Sequence, residues 1–324
     1  MRALREQDAE WLASIRQRLR SAVALCVRED MPANMALLHL FLNAERADEV
    51  EDALELAYQH LVRQDAAAAQ RLRRTLALWQ TTPRAWELVK TVLEHVRHEK
   101  THGTANQAMA LWADAFDRAA TVSAEAAVAL YSLGSPALLA ASTAETAELI
   151  RKLSLIEGHG VALEIGCGIG RLVERLSPHA TRIIGLDISP VMLARARERC
   201  AGLDNVAFVL GSGCDLAAFR TASFDLVYAV DTFPYLVLSG SDLAWRHVQE
   251  AARVLRPGGS LVILNYSYRN DFDHDKAELA RFAAQAGFQI TRNGTRDNAL
   301  WDGTTFCLQL TREIAGKDSR CRVR

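Results

Sequence analysis

The chain has 324 residues, of which 50% are hydrophobic and 24% are charged, with 38 basic residues against 39 acidic ones and a formal net charge of -1. A chain of this length holds roughly two domains, and its balanced charge lacks the positive excess that favours nucleic acid or an anionic membrane as a partner. The first 20 residues carry Arg and Glu where a secretory signal needs an apolar run. No window reaches the ~20 apolar residues of a membrane span. We therefore expect a globular protein that is neither exported nor inserted in a membrane.

Six cysteines are spread along the chain without a CxxC pair. Reduced thiols in a cytoplasm fit this usage better than a disulfide framework or a zinc site. The sequence therefore predicts a cytoplasmic protein and no metal site.

The N-terminal half has the hydrophobic period of helices. From Leu4 to about Ala141, apolar residues recur at three- and four-residue steps, as in Trp86, Val89 and Leu93. Breaks at Pro and Gly divide this half into about six to eight helices, and no residue pattern returns at a fixed period. We predict an all-helical domain over residues 1–141.

A second domain is predicted over residues 142–313. The run from Ser142 to Glu145 has the pattern of a capping box that opens a helix. Runs that are apolar on both faces then alternate with helical segments, which is typical of a doubly wound parallel sheet. The predicted strands are 161–165, 182–186, 206–210, 224–230 and 260–266, with two further strand-like stretches near 288–292 and 304–311. A basic tail follows at 314–324.

A glycine-rich run lies between the first strand and the first helix of this second domain. Its glycines, Gly166, Gly168 and Gly170, allow a sharp turn and a close approach to a ligand. A dinucleotide fingerprint has the spacing GxGxxG, whereas here the third glycine comes one residue early and is followed by Arg171. The run indicates a nucleotide-like binding loop, and a tight turn without a ligand stays the alternative.

An acidic residue ends the second strand. Asp187 comes about 20 residues after the glycine run, where a carboxylate accepts hydrogen bonds from a ribose diol. Its alternative role is the N-cap of the helix that begins near Pro190, although Ser189 could cap that helix instead. The turn after the third strand, at 212–214, lies where an adenine edge would be.

These motifs together resemble the class I S-adenosylmethionine-dependent methyltransferases. The resemblance rests on EIGCGIG from Glu164, GLDIS from Gly185, FDLV from Phe224 and LRPGG from Leu255, and it covers about residues 143–311. It implies a Rossmann-like, seven-stranded sheet with a reversed final hairpin, preceded here by the all-α domain. It also implies S-adenosylmethionine (SAM) as cofactor, bound across the carboxyl ends of the strands, and S-adenosylhomocysteine (SAH) as product.

The resemblance further implies a set of cofactor-binding residues, with the glycine run near the methionine part and Asp187 on the ribose. Cys167 is expected to contribute its backbone. Tyr131 is expected to close over the cofactor carboxylate or, alternatively, to hold two helices together. Many relatives have Gly-Asp after the third strand, whereas a serine at 212 offers a hydrogen bond without the charge. The predicted set is Glu164, Gly166, Cys167, Gly168, Gly170, Asp187, Ile188, Met192, Ser212, Gly213, Cys214, Val230 and Tyr131.

The loops after the fourth and fifth strands are predicted to position the acceptor. A sulfonium already supplies an activated methyl group, so the enzyme has mainly to align a nucleophile and exclude water. The candidates are Asp231, Tyr235 and Tyr266. Several relatives have a histidine near the position of Tyr235, and a phenol with a pKa of about 10 orients a substrate more readily than it takes a proton.

The predicted function is methyl transfer to a small-molecule acceptor that the helical domain encloses as a lid. Two alternatives stay open: methylation of a protein or peptide recruited by the helical domain, and a SAM-binding sensor without catalysis. A homodimer through the helical domain is a further possibility. His274, among Asp271, Asp273 and Asp275, is interpreted as a solvated helix start rather than a metal site.

Overall fold

In a computed structural model, the structure describes residues 15–96, 99–101, 103–154 and 160–311, so the predicted basic tail lies outside the described residues. The chain divides into two compact units. The helical unit contains the described residues up to 96 together with 114–146 and 298–302. The α/β unit contains the described residues among 98–113, 147–297 and 303–311. The predicted boundary at residue 141 falls inside one continuous helix.

The N-terminal region is helical, as predicted. Residues 105–113 of its sixth helix and 147–154 of its eighth belong to the α/β unit. Among the residues that the structure describes, none of the helices has the length and apolar character needed to cross a membrane. The helices are α1 (Arg20–Cys26), α2 (Ala33–Asn43), α3 (Ala47–Gln64), α4 (Ala66–Thr81), α5 (Ala85–His95), α6 (Ala105–Val122), α7 (Ala124–Val128) and α8 (Pro136–Ser154).

The core of the helical unit forms around α2. Phe41 is fully buried, and its ring meets the edges of Trp79 and Trp86 at centroid distances of 5.7 and 5.4 Å. The Asn34 amide donates hydrogen bonds of 2.9 Å to two backbone carbonyls, those of Tyr131 and Leu300. Because these acceptors are far apart in the sequence, the buried amide fixes residues 298–302 within the helical unit.

The capping box predicted at 142–145 is wrong. Helix α8 already begins at Pro136, and no Gly or Pro interrupts it before its end. The hydroxyls of Ser142 and Thr143 donate to the carbonyl of Leu139 at 3.1 and 2.6 Å, which is a bonding pattern of the helix interior. The Glu145 carboxylate accepts hydrogen bonds from the backbone of residues 299 and 300.

The α/β unit contains the predicted seven-stranded sheet, in the order β3-β2-β1-β4-β5-β7-β6. The first five strands are parallel, and β7 is antiparallel to both of its neighbours, which makes the final hairpin reversed. The central strands are buried on both faces, as their continuous apolar runs predict. The strands are β1 (Val161–Ile165), β2 (Arg182–Asp187), β3 (Val206–Leu210), β4 (Phe224–Val230), β5 (Leu255–Leu264), β6 (Phe288–Arg296) and β7 (Thr304–Leu310).

Five helices connect these strands and cover the sheet. Strand β5 begins earlier than predicted, because its pairing with β4 jumps from Phe224↔Leu255 to Leu226↔Ser260 and leaves the RPGG residues as a bulge. The order of the sheet reverses between β1 and β4, where ligands of such folds bind at the carboxyl ends of the strands. The helices are α9 (Arg171–Leu176), α10 (Pro190–Arg199), α11 (Phe233–Leu238), α12 (Ser241–Val254) and α13 (Phe272–Ala286).

Candidate functional site

The glycine-rich run forms a tight loop that is bonded to the next strand. Gly166, Gly168 and Gly170 all have left-handed backbones, with φ of 72, 50 and 72°. The backbone NH groups of Gly166 and Cys167 donate to the carbonyl of Leu186 at 2.7 and 3.0 Å. Left-handed φ at three positions explains why this turn needs glycine. The Cys167 thiol is buried, which raises its pKa well above the usual range, so its backbone is the part available for binding.

Gly166 also packs closely against the loop that follows β4. A Cβ atom there would overlap the side chain of Thr232. The Thr232 hydroxyl donates to the carbonyl of Ile165 at 3.0 Å and so ties the loop after β4 to the end of β1. This contact lies at the point where the strand order reverses.

Asp187 connects the ends of β1 and β2 through its carboxylate. Oδ2 accepts from the backbone NH of Gly168 at 2.7 Å, and Oδ1 accepts from that of Ser189 at 2.9 Å. Ser189 is the N-cap of α10, since its hydroxyl accepts from the NH of Met192 at 3.0 Å. Ser189, and not Asp187, therefore caps α10, so the alternative role of Asp187 as the N-cap does not apply. An ionised carboxylate accepts up to about four hydrogen bonds, so it can bond to a ligand as well as to backbone NH groups.

Glu164 lies under the glycine loop in a buried polar group. Its Oε2 accepts from the Tyr228 hydroxyl at 3.1 Å, and the buried Arg171 lies close by. Burial raises the pKa of Glu164 to about 8, although Arg171 and Tyr228 oppose the shift. The carboxyl group therefore holds a proton at neutral pH.

The turn after β3 contacts a helix that is remote in the sequence. Gly213 has a φ of 73°, and a Cβ atom there would lie 2.7 Å from both Ile188 Cγ2 and Met109 Sδ. The Cys214 thiol donates to the Asn106 side-chain oxygen at 2.9 Å, and the Ser212 hydroxyl accepts from the NH of residue 214 at 3.1 Å. The predicted residues at 212–214 therefore contact the start of α6, a contact that the sequence analysis did not predict.

That segment, residues 105–113 at the start of α6, is here called the α6 strap. Its Trp112 indole NH donates to the Ser239 hydroxyl at 2.9 Å, just after α11. The Trp112 ring also meets the edge of Tyr235 at a centroid distance of 4.9 Å. The strap thus contacts both the turn after β3 and the loop after β4, on either side of the glycine loop.

A polar and aromatic cluster forms where β4 and β5 end. Asp231 and Asn265 follow these strands with left-handed φ values of 56 and 65°, a conformation that Asp and Asn tolerate better than most residues. Asp231 Oδ1 accepts from the Asn265 amide at 2.7 Å and from the Tyr268 hydroxyl at 2.8 Å. The rings of Tyr268 and Tyr235 lie 5.8 Å apart at 85°. Burial and the Asp231 charge hold the pKa of both phenols above their usual range.

Tyr266 does not join this cluster. Its side chain is fully buried, and its hydroxyl donates to Glu278 at 3.1 Å on α13. Its ring stacks on Phe233 at 5.9 Å. Burial and the Glu278 charge raise the pKa of Tyr266. Two of the three predicted positioning residues, Asp231 and Tyr235, therefore lie together, and the third is held in a separate buried network.

The remaining predicted residues make packing or capping contacts. Val230 is the last residue of β4 and Met192 lies buried in the first turn of α10. Tyr131 belongs to the helical unit, where its buried ring stacks on Trp301 at 5.3 Å and 21°. The Tyr131 ring thus packs on the segment 298–302 of the helical unit, and its predicted closure over the cofactor stays a prediction. Asp271 caps α13 by accepting from the NH of residue 274 at 3.0 Å, as the solvated helix start predicted.

Sequence reasoning missed Asn106, Met109 and Trp112 altogether, and it did not single out Tyr268 in the loop after the fifth strand that it had predicted to position the acceptor. The first three lie in a helical period that carries no local mark of a site. Tyr268 stands in the same loop as Tyr266, and only its hydrogen bond to Asp231 distinguishes it. Within the described ranges, no group of three or more His, Cys, Asp or Glu side chains could hold a metal ion.

Comparison with known proteins decides the family. A family model described as a methyltransferase domain matches residues 163–263, which include the glycine loop, Asp187 and the Asp231 region. The chain contains a class I methyltransferase domain. The family to which this methyltransferase domain belongs uses SAM, in keeping with the motifs that follow β1 and β2.

The curated relatives of the methyltransferase domain differ in what they methylate. It is 28% identical over 118 residues to a sterol 4-C-methyltransferase of Caenorhabditis elegans, covering 36% of this chain and 34% of that protein. It is 35% identical over 144 residues to a phosphatidylethanolamine N-methyltransferase of Cereibacter sphaeroides, covering 44% of this chain and 66% of that protein. The chain thus matches less than two thirds of the length of either relative.

A solved structure shares the fold of the domain. Phosphoethanolamine N-methyltransferase 1 of Haemonchus contortus, in complex with phosphoethanolamine and SAH, is similar with a TM-score of 0.52 at 16% sequence identity. The match covers 66% of this chain and 51% of that chain. At this identity the similarity concerns the fold alone.

Proposed function

We propose that the α/β unit binds SAM and transfers its methyl group to a small-molecule acceptor. The observation that carries the proposal is the carboxylate of Asp187, bonded to the backbone of Gly168 at 2.7 Å beside the point where the strand order reverses. An acid held against a left-handed glycine loop at this point is arranged for a ribose diol. Relatives that are named for methylation of sterols and phosphatidylethanolamine support a small-molecule acceptor.

The donor set fits SAM better than a dinucleotide. The glycine run at 166–170 contains no Lys or Arg, and the side chain of Arg171, which follows it, is buried beside Glu164. The loop offers a pyrophosphate no charged side chain beside its backbone NH groups, and its glycines do not have the GxGxxG spacing of dinucleotide sites. A nucleoside that carries a sulfonium in place of phosphates needs no positive charge there, and the acids Asp187 and Asp231 suit its own positive charge.

The chain's own residues have three tasks in this function. When bound, SAM supplies an activated methyl group. The glycine loop and Asp187 hold the nucleoside, while Asp231, Tyr235 and Tyr268 orient the acceptor at the neighbouring strand ends. The α6 strap, which contacts the loops on both sides, limits the access of water. We assign to Tyr266 a structural role in the loop after β5.

Calorimetric titration with SAM and SAH tests this proposal. The Asp187→Ala variant loses the ribose acceptor and the hydrogen bond to Gly168, so we expect its affinity for SAH to fall about 100-fold. Ser189→Ala is the matched control, since it removes the α10 cap at a cost of about 1 kcal/mol of stability and leaves the carboxylate in place. Equal SAH affinity in the wild type and the Asp187 variant would contradict the assignment.

A labelling experiment identifies the acceptor. The full-length protein is incubated with SAM that carries a deuterated methyl group and with fractionated metabolite extracts, and mass spectrometry identifies molecules that gain the label. We expect a labelled molecule of low mass. Label that appears only on proteins or peptides would overturn the small-molecule assignment and favour recruitment of a macromolecule.

A further inference from the structure

Three aromatic rings and one carboxylate meet at the ends of β4 and β5. The rings of Trp112 and Tyr235 lie 4.9 Å apart at 70°, and those of Tyr235 and Tyr268 lie 5.8 Å apart at 85°. Each ring is thus nearly perpendicular to the next and meets it edge to face. The Asp231 carboxylate lies at the edge of this group, 2.8 Å from the Tyr268 hydroxyl. We call these four residues the aromatic corner.

The aromatic corner has the electrostatic character of a cation site. The hydrogen bonds that Asp231 Oδ1 accepts from the Asn265 amide and the Tyr268 phenol come from neutral donors. Burial and the neighbouring Asp231 raise the pKa of Tyr235 and Tyr268, so both phenols stay protonated at neutral pH. Aromatic rings present negative faces. Carboxylate and rings therefore attract the same kind of ligand, a cation.

The aromatic corner is fixed in position and open on one side. The Trp112 indole is held by Ser239 at 2.9 Å, and Asp231 by Asn265 at 2.7 Å. Tyr268 is 36% exposed, whereas Trp112 is 4% exposed. A ligand can therefore reach the Tyr268 and Asp231 side from solvent and meet rings that need no rearrangement, which lowers the entropic cost of binding.

We propose that the aromatic corner binds the protonated nitrogen of the methyl acceptor, an amine. The nitrogen releases one proton to solvent through its hydrogen bond to Asp231, and its lone pair then attacks the methyl group as the sulfonium leaves as the neutral thioether SAH. This inference rests on the proposed function and narrows its substrate class. A neutral, hydrophobic acceptor would gain packing against the rings but nothing from the carboxylate. An amine gains both, and Asp231 is also the group within reach that accepts a hydrogen bond from its N–H.

The test compares a quaternary ammonium probe with its uncharged isostere. Choline and 3,3-dimethylbutan-1-ol have the same shape and differ in the charge of one central atom. Both are titrated by calorimetry into the full-length protein that has been saturated with SAH. We expect choline to bind at least about tenfold more tightly than the alcohol, because the charge meets both the rings and the carboxylate. Equal affinity for the two probes would overturn the proposal.

Two variants locate the probe, and a third serves as control. We expect Asp231→Asn to weaken choline binding about tenfold, and Tyr268→Leu to weaken it about fivefold. The asparagine variant keeps an acceptor for Asn265 and a residue type that tolerates the left-handed backbone. Val62→Ala changes a side chain of α3 that is 50% exposed and should leave choline affinity unchanged. Unchanged choline affinity in both the Asp231 and Tyr268 variants, with unfolding temperatures near that of the wild type, would overturn the proposal.

SAH separates the acceptor site from the cofactor site. If the rings served the sulfonium of the cofactor, SAH would occupy the same place, and choline binding would disappear from the SAH-saturated protein. That result would overturn the assignment to the acceptor. Protein that binds SAH but neither probe would overturn this inference alone. Protein that binds choline with the expected variant effects, but neither SAM nor SAH, would instead overturn the proposed function.

Discussion

The two sides of the sheet's carboxyl edge are built differently. After β1 and β2, backbone groups are tied together over short distances in the sequence: Gly168 NH reaches Asp187 across 19 residues, and the NH of Ser189 reaches it across two. After β4 and β5, the loops are instead held together by side chains that come from segments distant in the sequence. Asn265 reaches Asp231 across 34 residues, and Trp112 reaches Ser239 across 127. We call these the cofactor side and the acceptor side.

This difference explains why one side is more recognisable than the other. A loop made of left-handed glycines and one acid constrains residue types within a short stretch, so it leaves a motif. A cluster made of side chains from three segments constrains only the final geometry. Different acceptors can therefore be accommodated on the acceptor side without any change on the cofactor side, in keeping with relatives named for sterol and phosphatidylethanolamine methylation.

The largest effect is expected where the cofactor side allows no side chain. In the Gly166→Val variant, the new side chain overlaps Thr232 and the backbone has to keep a φ of 72°. Left-handed strain and overpacking together should cost about 5 kcal/mol of stability, and SAH binding should be lost. Urea unfolding and calorimetry measure the two effects.

The matched control for Gly166 is Gly258→Ala. Gly258 has a φ of 82°, but no atom lies within 4 Å of the position that its Cβ would take, so this variant isolates the cost of the backbone conformation. We expect a cost of about 1 kcal/mol and unchanged SAH affinity. A Gly166→Val variant that is destabilised no more than this control would show that the contact with Thr232 does not constrain the loop.

The next effect concerns the proton on Glu164. Its pKa is raised from an ordinary value near 4.5 to about 8, so the folded protein binds a proton that the unfolded chain releases. The contribution of Glu164 to the free energy of unfolding is therefore largest below pH 4.5 and falls as the pH rises towards 8. The fall between pH 5 and pH 8 should be about 3 to 4 kcal/mol.

Glu164→Gln removes this titration and keeps an acceptor for the Tyr228 hydroxyl. Urea unfolding of the wild type and the variant across this pH range gives the contribution of the carboxyl group as a difference. We expect the wild type to lose stability relative to the variant as the pH rises. Parallel curves would mean that Glu164 is ionised in the folded protein throughout the range.

On the acceptor side, the corresponding buried charges hold the loop after β5. Arg269 donates to Asp275 at 2.7 Å and to Glu278 at 2.6 Å, and both acids are buried. Burial alone would raise the pKa of Glu278, but hydrogen bonds from Ser241 and Arg269 keep it below its ordinary value. Glu278 therefore contributes to the free energy of unfolding at neutral pH, and this contribution is lost as the pH falls through the lowered pKa.

Arg269→Met should reverse that dependence. The variant removes the cation that bonds to both buried acids and leaves Glu278 with only the longer contact to Arg281. We therefore expect a loss of about 3 kcal/mol at pH 7, part of which returns as the pH is lowered and the acids take up protons. Arg281→Met is the control, since Arg281 lies 3.8 Å from Glu278 and is 60% exposed. A similar small loss in both variants would mean that the loop does not depend on Arg269.

Much of the cofactor side could be predicted from the sequence. The strands at 161–165, 206–210 and 224–230 are predicted with the bounds that the structure has, because strands of a parallel sheet are short apolar runs with clear ends. The sequence also predicts Ser189 as a possible N-cap of α10, because helix N-termini prefer short polar side chains. The capping box at 142–145 failed because a local motif does not reveal that a helix has already begun at Pro136.

The acceptor side could be predicted only as a region. The loop from Asn265 to Asp271 was recognised, but the choice of Tyr266 within it was made without knowing which side of the sheet each tyrosine faces. Tyr266 is directed to Glu278 under α13, and Tyr268 to Asp231. The α6 strap has no local signal at all, since its contacts with Ser239 and Cys214 span 127 and 108 residues.

The smallest effect tests whether the two sides are independent. Trp112→Phe removes the indole NH that bonds to Ser239 at 2.9 Å but keeps an aromatic ring beside Tyr235. The Ser239 hydroxyl still donates to the carbonyl of Tyr235 at 2.7 Å, so no buried donor is left without an acceptor. We expect a loss of about 1 kcal/mol in urea unfolding, an SAH affinity within about twofold of the wild type, and a modest weakening of choline binding. Trp245→Phe, on α12, controls for the lost tryptophan fluorescence. If Trp112→Phe lowered SAH affinity tenfold, the α6 strap would couple the turn after β3 to the loop after β4, and the cofactor and acceptor sides would have to be treated as a single site.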